Sequence, residues 1–485
     1  MSLKKNFAYS SLLTSTNYLF PLLTYPYVSR VLGVANIGIC NFVDSIINYF
    51  TMFSLLGIVA TGIRSVAAVK EDKERLSKVF TDLLLLNTIS TAVVSVVLIA
   101  CILLIPEFRQ YKEMFVIGLF KVIFNYLLID WFYKGLENFK FITNRGVIIR
   151  SLYVACVFIF VRDSGDYHIY YLLSMLAIAL NAVVNVWYSR KFVSFRLRIK
   201  NISFKPYMSS FIILGIYIII TSMYTTFNIA YLGFVHGTTE VGYYTTATKL
   251  HTILLSIFTA FTGVMLPRMS SLISEGKHEQ FHLMLDKSVH VLFLFSFPLI
   301  VFSTVFAPHI VLLLSGAGYE NAIAPMRIIM PLIFVIGYEQ IIVIQVLMPL
   351  RKDKYIFTGA SAGAIVGILA NILLVKSMAS IGSAWVWVVS ELVVMVVSQY
   401  FVHKSAGFGF PLKKLLVNIL VSIPCLLVCI CILEFVDNYI ASLAVGALAL
   451  AFYYGIVYVR ICKDDMIIGL LKSLESAVCS VFRHK

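Results

Sequence analysis

Hydrophobic runs of about twenty residues return along the whole chain and constrain it more than any other feature. Examples are LLLLNTISTAVVSVVLIACILLI (83–105) and IPCLLVCICILEFV (423–436). At a rise of about 1.5 Å per residue, a helix of about twenty residues crosses the roughly 30 Å core of a bilayer. Hydrophobic residues make up 60% of the 485 and charged residues 13%, with a mean hydropathy of +0.91. A soluble domain of this length has too little interior to hide that much apolar surface. The chain reads as an all-α integral membrane protein. Lys4 and Lys5 precede a segment that runs on to about residue 32, too long for a cleaved signal, so the first helix is expected to stay.

Fourteen transmembrane spans are predicted: 8–32, 37–62, 83–105, 114–133, 146–161, 168–189, 207–234, 241–266, 288–314, 322–348, 355–375, 380–402, 412–433 and 439–459. With a cytoplasmic N-terminus, 30 of the 39 lysines and arginines fall in inner segments and 5 in outer loops. That bias orients the chain with both termini inside. The net charge of +15 then faces the anionic lipids of the inner leaflet, not a nucleic acid. No pair of the eight cysteines falls in outer loops, so no disulfide is expected. Cys425 and Cys429 share a helix face, as packing residues do.

The chain repeats itself. GVANIG (33–38) and GTTEVG (237–242) share their glycine spacing at an offset of 204, which also aligns Arg64 with Arg268, Glu71 with Glu275, Lys73 with Lys277 and Asp82 with Asp286. KFI (140–142) resembles KYI (354–356) at offset 214. An even number of spans per unit makes the halves parallel repeats about an axis along the membrane normal. The expected units are a six-helix lobe at 1–188, a basic cytoplasmic linker at 189–206, a second lobe at 207–403, and two extra helices with a tail at 404–485. The linker, with its alternating basic and apolar residues, is either an amphipathic segment on the inner surface or an ordinary basic loop.

Polar residues fall in stripes. Asn41, Asp44, Ser45 and Asn48 share one face of the second span, and the 204 offset places Thr245, Thr248, Lys249 and Thr252 on the eighth. Ser10, Thr14, Asn17 and Thr24 on the first span and Thr221, Thr225 and Asn228 on the seventh follow similar spacing. Single residues of this kind often serve helix–helix hydrogen bonds. Matching stripes in both halves favour a shared wet cavity, with Arg30, Lys121 and Lys249 adding positive charge. Arg30 either snorkels toward the turn at Gly33 or contacts a ligand. Asp44, Asp130, Glu339 and Glu391 are candidate sites for a coupling ion, either H+ or Na+. An outer gate between Asp44 and Lys249 is one expectation; a local pair of Asp44 with Arg30 is its rival. The sequence holds no phosphate-binding Gly-x4-Gly-Lys-Ser/Thr loop, no His-Glu-x-x-His and no Gly-x-Ser-x-Gly, and its outer loops are short, which argues against an enzyme. No cofactor is expected.

The stretch PYVSRVLGVANIGICNFVDSIINYFTMFSLLGIVATGIRSVA (26–67) resembles the first two helices of Wzx-type flippases of lipid-linked oligosaccharides, within the multidrug/oligosaccharidyl-lipid/polysaccharide exporter superfamily. Tyr27, Val28, Arg30, Leu32, Gly33, Gly62 and Arg64 carry the likeness. It implies two six-helix lobes forming a V, with helices 1, 2, 7 and 8 lining the cavity. The implied substrate is a polyprenyl-pyrophosphate-linked oligosaccharide, with polysaccharide polymerase or glycosyltransferase machinery as candidate partners. A peptidoglycan lipid flippase and a cation-coupled drug exporter of the same superfamily are the rival transporters; a membrane scaffold is the rival outside transport.

Overall fold

The computed structural model describes residues 3–193, 203–223 and 225–461, and every regular element among them is helical. The first half holds α1 (Leu3–Leu55), α2 (Ile58–Val69), α3 (Lys73–Leu104), α4 (Pro106–Gln110), α5 (Lys112–Tyr126), α6 (Asp130–Gly135), α7 (Phe139–Phe160) and α8 (Tyr167–Ser189). The second holds α9 (Lys205–Ser222), α10 (Thr226–His236), α11 (Thr238–Ser274), α12 (His278–Val305), α13 (Ala307–Ser315), α14 (Ile323–Ile329), α15 (Leu332–Gln340), α16 (Asp353–Ala370) and α17 (Lys376–Ala406). Two helices follow, α18 (Leu412–Phe435) and α19 (Tyr439–Ile456). Most of the linker, at 194–202, lies outside the described residues, as do Cys462, Cys479 and the side chains of Ser10, Thr14 and Asn17.

Among the described residues ten helical segments are long and apolar enough to cross a membrane, or twelve when two bent pairs are each counted as one. Two of the ten, Leu19–Val69 and Asp353–Ala406, are 51 and 54 residues long. One crossing needs only about twenty residues, and each segment breaks at a residue of positive φ, Gly33 (74°) and Ala379 (49°). Beyond the second break the chain folds back on itself, since a Cβ on Gly382 would lie 2.5 Å from the Leu374 carbonyl oxygen. Each of these two segments is therefore long enough to cross twice. Several expected spans are broken helices: 37–62 breaks at Leu56 (φ 38°), and 114–133 breaks at Ile129 (φ 39°). The first break has a visible cause, because it frees the Gly57 N–H to donate to the Phe211 carbonyl of α9 at 2.9 Å.

Both repeat offsets have backbone counterparts. Gly33 (φ 74°, ψ 167°) and Gly237 (φ 84°, ψ 178°) hold the same conformation, one that a Cβ disfavours. At offset 214, Glu137 (φ 57°) and Arg351 (φ 55°) both adopt positive φ. The next residue in each case donates its N–H backward at 2.9 Å, Asn138 to Tyr133 and Lys352 to Leu347.

The largest packed cluster spans both halves, with Phe42, Ile47 and Phe115 of the first in it, and a smaller one lies mainly in the first half. Phe80, Trp131, Phe132 and Tyr133 form the smaller cluster with Ile58 and Val66, and Phe258, Phe293 and Tyr338 belong to the larger one. The α18–α19 pair rests on the second half, through Cys425, Cys429, Leu450 and Tyr454 against Val301, Val305 and Phe306. Gly446 is required there, because a Cβ would fall 2.4 Å from the Phe306 ring. The outer surface leaves Leu104, Leu373, Phe435 and Phe452 exposed, apolar side chains that lipid tails solvate without cost.

Candidate functional site

The two halves meet where α1 passes α11, just beyond the paired glycine turns. A Cβ on Gly38 would lie 1.7 Å from the Thr238 carbonyl oxygen, and one on Gly242 would lie 2.3 Å from that of Val34. These contacts are the same contact exchanged, since each residue is offset by 204 from its counterpart. Small residues at this level let the helix backbones approach closely, as in many membrane helix pairs. One turn further, Asn41 Nδ2 donates to Thr245 Oγ1 at 2.9 Å, again across the offset of 204. Two turns beyond that, Asn48 and Thr252 are both exposed. The polar stripes thus touch at the glycine end and separate away from it. At the far end α9 crosses, where Gly57 meets Phe211 and a Cβ on Gly215 would contact Leu56.

The charged residues of the stripes have partners that the sequence did not assign. Asp44 accepts a hydrogen bond from Lys121 of α5 in an ion pair, and a second from the Tyr171 hydroxyl of α8 at 3.3 Å. Lys121 also lies over the Tyr171 ring, 4.3 Å from its centroid. The expected Asp44–Lys249 gate pair is therefore not formed, and neither is its rival with Arg30. The reason is proximity: α5 and α8 belong to the same half as Asp44 and present their groups first. Lys249 lies over the ring of Tyr25 at 4.6 Å and donates to Asn41 Oδ1 at 3.4 Å. Among the described residues Lys249 forms no salt bridge, and Asp44 acts on it only at longer range. Tyr25 is fixed in turn by a 2.6 Å hydrogen bond to Thr246. Thr248, half-buried, donates to the Thr245 carbonyl at 3.0 Å.

Arg30 is exposed and does not enter the stripe. Its guanidinium donates to the carbonyls of Leu312 and Leu313, at the C-terminal end of α13, where a cation complements the helix dipole. Asp130, which opens α6, pairs with Arg145 at 3.1 Å and accepts from Asn185 Nδ2 at 3.0 Å. Glu339 and Glu391, far apart in sequence, lie within electrostatic reach of one another, and Trp387 Nε1 donates to Glu391 at 3.0 Å. A π-helical stretch, Ile341–Leu347, begins two residues after Glu339; such irregular turns are frequent at functional sites. Sequence reading missed Tyr25, Tyr171 and Arg145 as members of these clusters. The one available signal was Asn181 and Asn185, four residues apart in an otherwise apolar helix.

Residues 3–273, more than half of the chain, match the family described as polysaccharide biosynthesis protein. The chain belongs to that family. It is 26% identical over 414 residues to a protein of Escherichia coli (strain K12) named "Putative O-antigen transporter", covering 84% of this chain and 98% of that one. Among solved structures it is similar to the lipid II flippase MurJ in an inward closed conformation, with a TM-score of 0.77 and 16% identity over 94% of this chain and 100% of that one. A multidrug resistance MATE family transporter of the MOP superfamily, inward-facing, gives a TM-score of 0.65 and 12% identity over 80% and 94%. The fold is that of this transporter superfamily, and the protein is a multi-pass membrane protein.

Proposed function

We propose that the protein is a Wzx-type flippase, carrying polyprenyl-pyrophosphate-linked oligosaccharide from the cytoplasmic to the outer leaflet of a bacterial inner membrane by alternating access. The carrying observation is the interface between the halves: polar stripes related by the repeat, joined at Asn41–Thr245, exposed at Asn48 and Thr252, with Lys249 in no salt bridge among the described residues. A pyrophosphate needs a cation, sugars need amides and hydroxyls, and the prenyl tail can remain in lipid. Lys249 takes the pyrophosphate, and Asn41, Asn48, Thr245, Thr248 and Thr252 offer hydrogen bonds to sugar. Asp44 and Lys121 hold each other and so set the charge of the cavity wall. Arg30 acts as a helix cap.

The basic-inside bias places both termini in the cytoplasm and the glycine turns outside, so the halves are closed at the outer face. The lobes at 1–188 and 207–403 rock about that contact, joined by the linker at 189–206. Glu339 and Glu391 lie within electrostatic reach of one another, and a proton held between two carboxylates relieves their repulsion. The pair favours H+ over Na+ as coupling ion. A lipid II flippase would share the pyrophosphate chemistry, and the MurJ likeness supports the fold for either. A cation exporter would not suit an interface whose unpaired charge is positive. Depleting the protein in its own host, with no redundant carrier present, should trap lipid-linked oligosaccharide on the cytoplasmic leaflet and remove surface polysaccharide. Normal surface polysaccharide after depletion refutes the flippase reading.

A further inference from the structure

We propose that the N-terminal half has a diphosphate-binding pocket of its own, apart from the interface between the halves. A cavity of about 400 Å³ lies among α1, the α5–α6 junction, α7 and α8. That volume is within the range of small-ligand sites, about 300–1,000 Å³. Three cations line it, Lys134, Arg145 and Arg150, with one carboxylate, Asp130. Asn181 and Ser174 add neutral polar groups. The net charge of the wall is +2, which matches the two negative charges of a diphosphate diester. A phospholipid phosphate carries only one.

The cations have unused capacity. The Arg145 side chain is 8% exposed; its Nη1 serves Asp130 and Asn185, yet its Nε is buried with no hydrogen-bond partner. Arg150 donates to Thr16 Oγ1 at 2.9 Å, and among the described residues no carboxylate lies within 4 Å of it. It sits about 16 Å along α7 from Phe139 at helical rise, a depth where an uncompensated charge is costly. A guanidinium with free donors presents a fork suited to phosphate oxygens. Leu13, Ile142 and Ile149 supply apolar wall beside the cations. Lys134 lies next to the 136–138 turn, on the side that the charge bias assigns to the cytoplasm. The pocket therefore opens its route in the leaflet where the carrier lipid starts, and receives its diphosphate before the oligosaccharide enters the interface. This identity of the ligand rests on the flippase reading above.

The test uses the full-length protein in detergent micelles with a monosaccharide-linked undecaprenyl diphosphate, a diphosphate diester, as probe, followed by native mass spectrometry, with phosphatidylglycerol as competitor. Lys134→Gln and Arg150→Gln leave the Arg145–Asp130–Asn185 cluster intact, and an unchanged melting temperature certifies the fold. Each is expected to weaken diphosphate binding about tenfold, the scale of one charge-assisted contact. Lys70→Gln, which removes an equal charge from an exposed pair with Glu137, should leave binding unchanged. Built on Lys249→Gln, which removes the interface cation, a double variant that binds within twofold of Lys249→Gln alone overturns the pocket. So does equal competition by phosphatidylglycerol, or absence of diphosphate binding by the wild type. Surface polysaccharide, measured in cells carrying the same variants, separates the readings: export that depends on the protein upholds the flippase function even where the pocket fails.

Discussion

Replacing Gly38 by alanine should open the contact between the halves. The new Cβ would stand 1.7 Å from the Thr238 carbonyl oxygen and 3.1 Å from the Gly242 nitrogen. Carbon–oxygen contacts normally begin at about 3.3 Å, so the two helices must separate by about 1.6 Å at this level. Both obstructing atoms are helix backbone, which no rotamer change can move. Overpacking of this kind costs about 1–3 kcal/mol. The cost falls only on the arrangement in which these helices touch, so it shifts the closed-to-open ratio by about 5–150-fold. Gly242→Ala should act in the same direction but less, since its Cβ would meet Val34 oxygen at 2.3 Å. Gly33→Ala is the internal control: its Cβ meets nothing within 4 Å, and its φ of 74° makes the substitution a local strain without an inter-half clash. Ala35 and Thr239, exposed and related by the 204 offset, are the label positions. Pulsed EPR distances between spin-labelled Ala35→Cys and Thr239→Cys in nanodiscs should lengthen and broaden with Gly38→Ala and stay unchanged with Gly33→Ala. An unshifted distribution for Gly38→Ala would refute the claim that this contact closes the molecule.

Asp44→Asn should lower the melting temperature in detergent, because Lys121, 11% exposed at its side chain, loses its carboxylate; the cost is about 1–3 kcal/mol. The double variant Asp44→Leu/Lys121→Met should recover much of that loss, and a double variant no more stable than the worse single one would deny the coupling. Glu391→Gln should uncouple export from the proton gradient while the protein still inserts and binds substrate; a gradient dependence equal to wild type argues against the carboxyl pair as proton carrier. In a cysteine-free background, Asn36→Cys and Gln110→Cys should react with an impermeant reagent on intact cells, and Arg75→Cys and Lys277→Cys should not. Labelling at residue 75 would reverse the assigned orientation.

Lipid solvation explains why so much was readable from sequence. A backbone in hydrocarbon must bond to itself, so long apolar runs have one local solution, and helical periodicity then fixes which residues share a face. That logic placed Asn41, Asp44 and Asn48 together, and the 204 offset made Thr245 the counterpart of Asn41; the structure adds that the two hydrogen-bond. It also marked the turns at Gly33 and Gly237. What periodicity cannot supply is the neighbour. The face of a helix is a local property, whereas the partner of a charge depends on which other helix arrives within 4 Å. Only the tertiary structure therefore gave Asp44 to Lys121, turned Arg30 onto the end of α13, and joined Glu339 to Glu391 across two helices. It also decided the breaks at Leu56 and Ile129, because a positive φ in a non-glycine residue is held by contacts beyond its own segment.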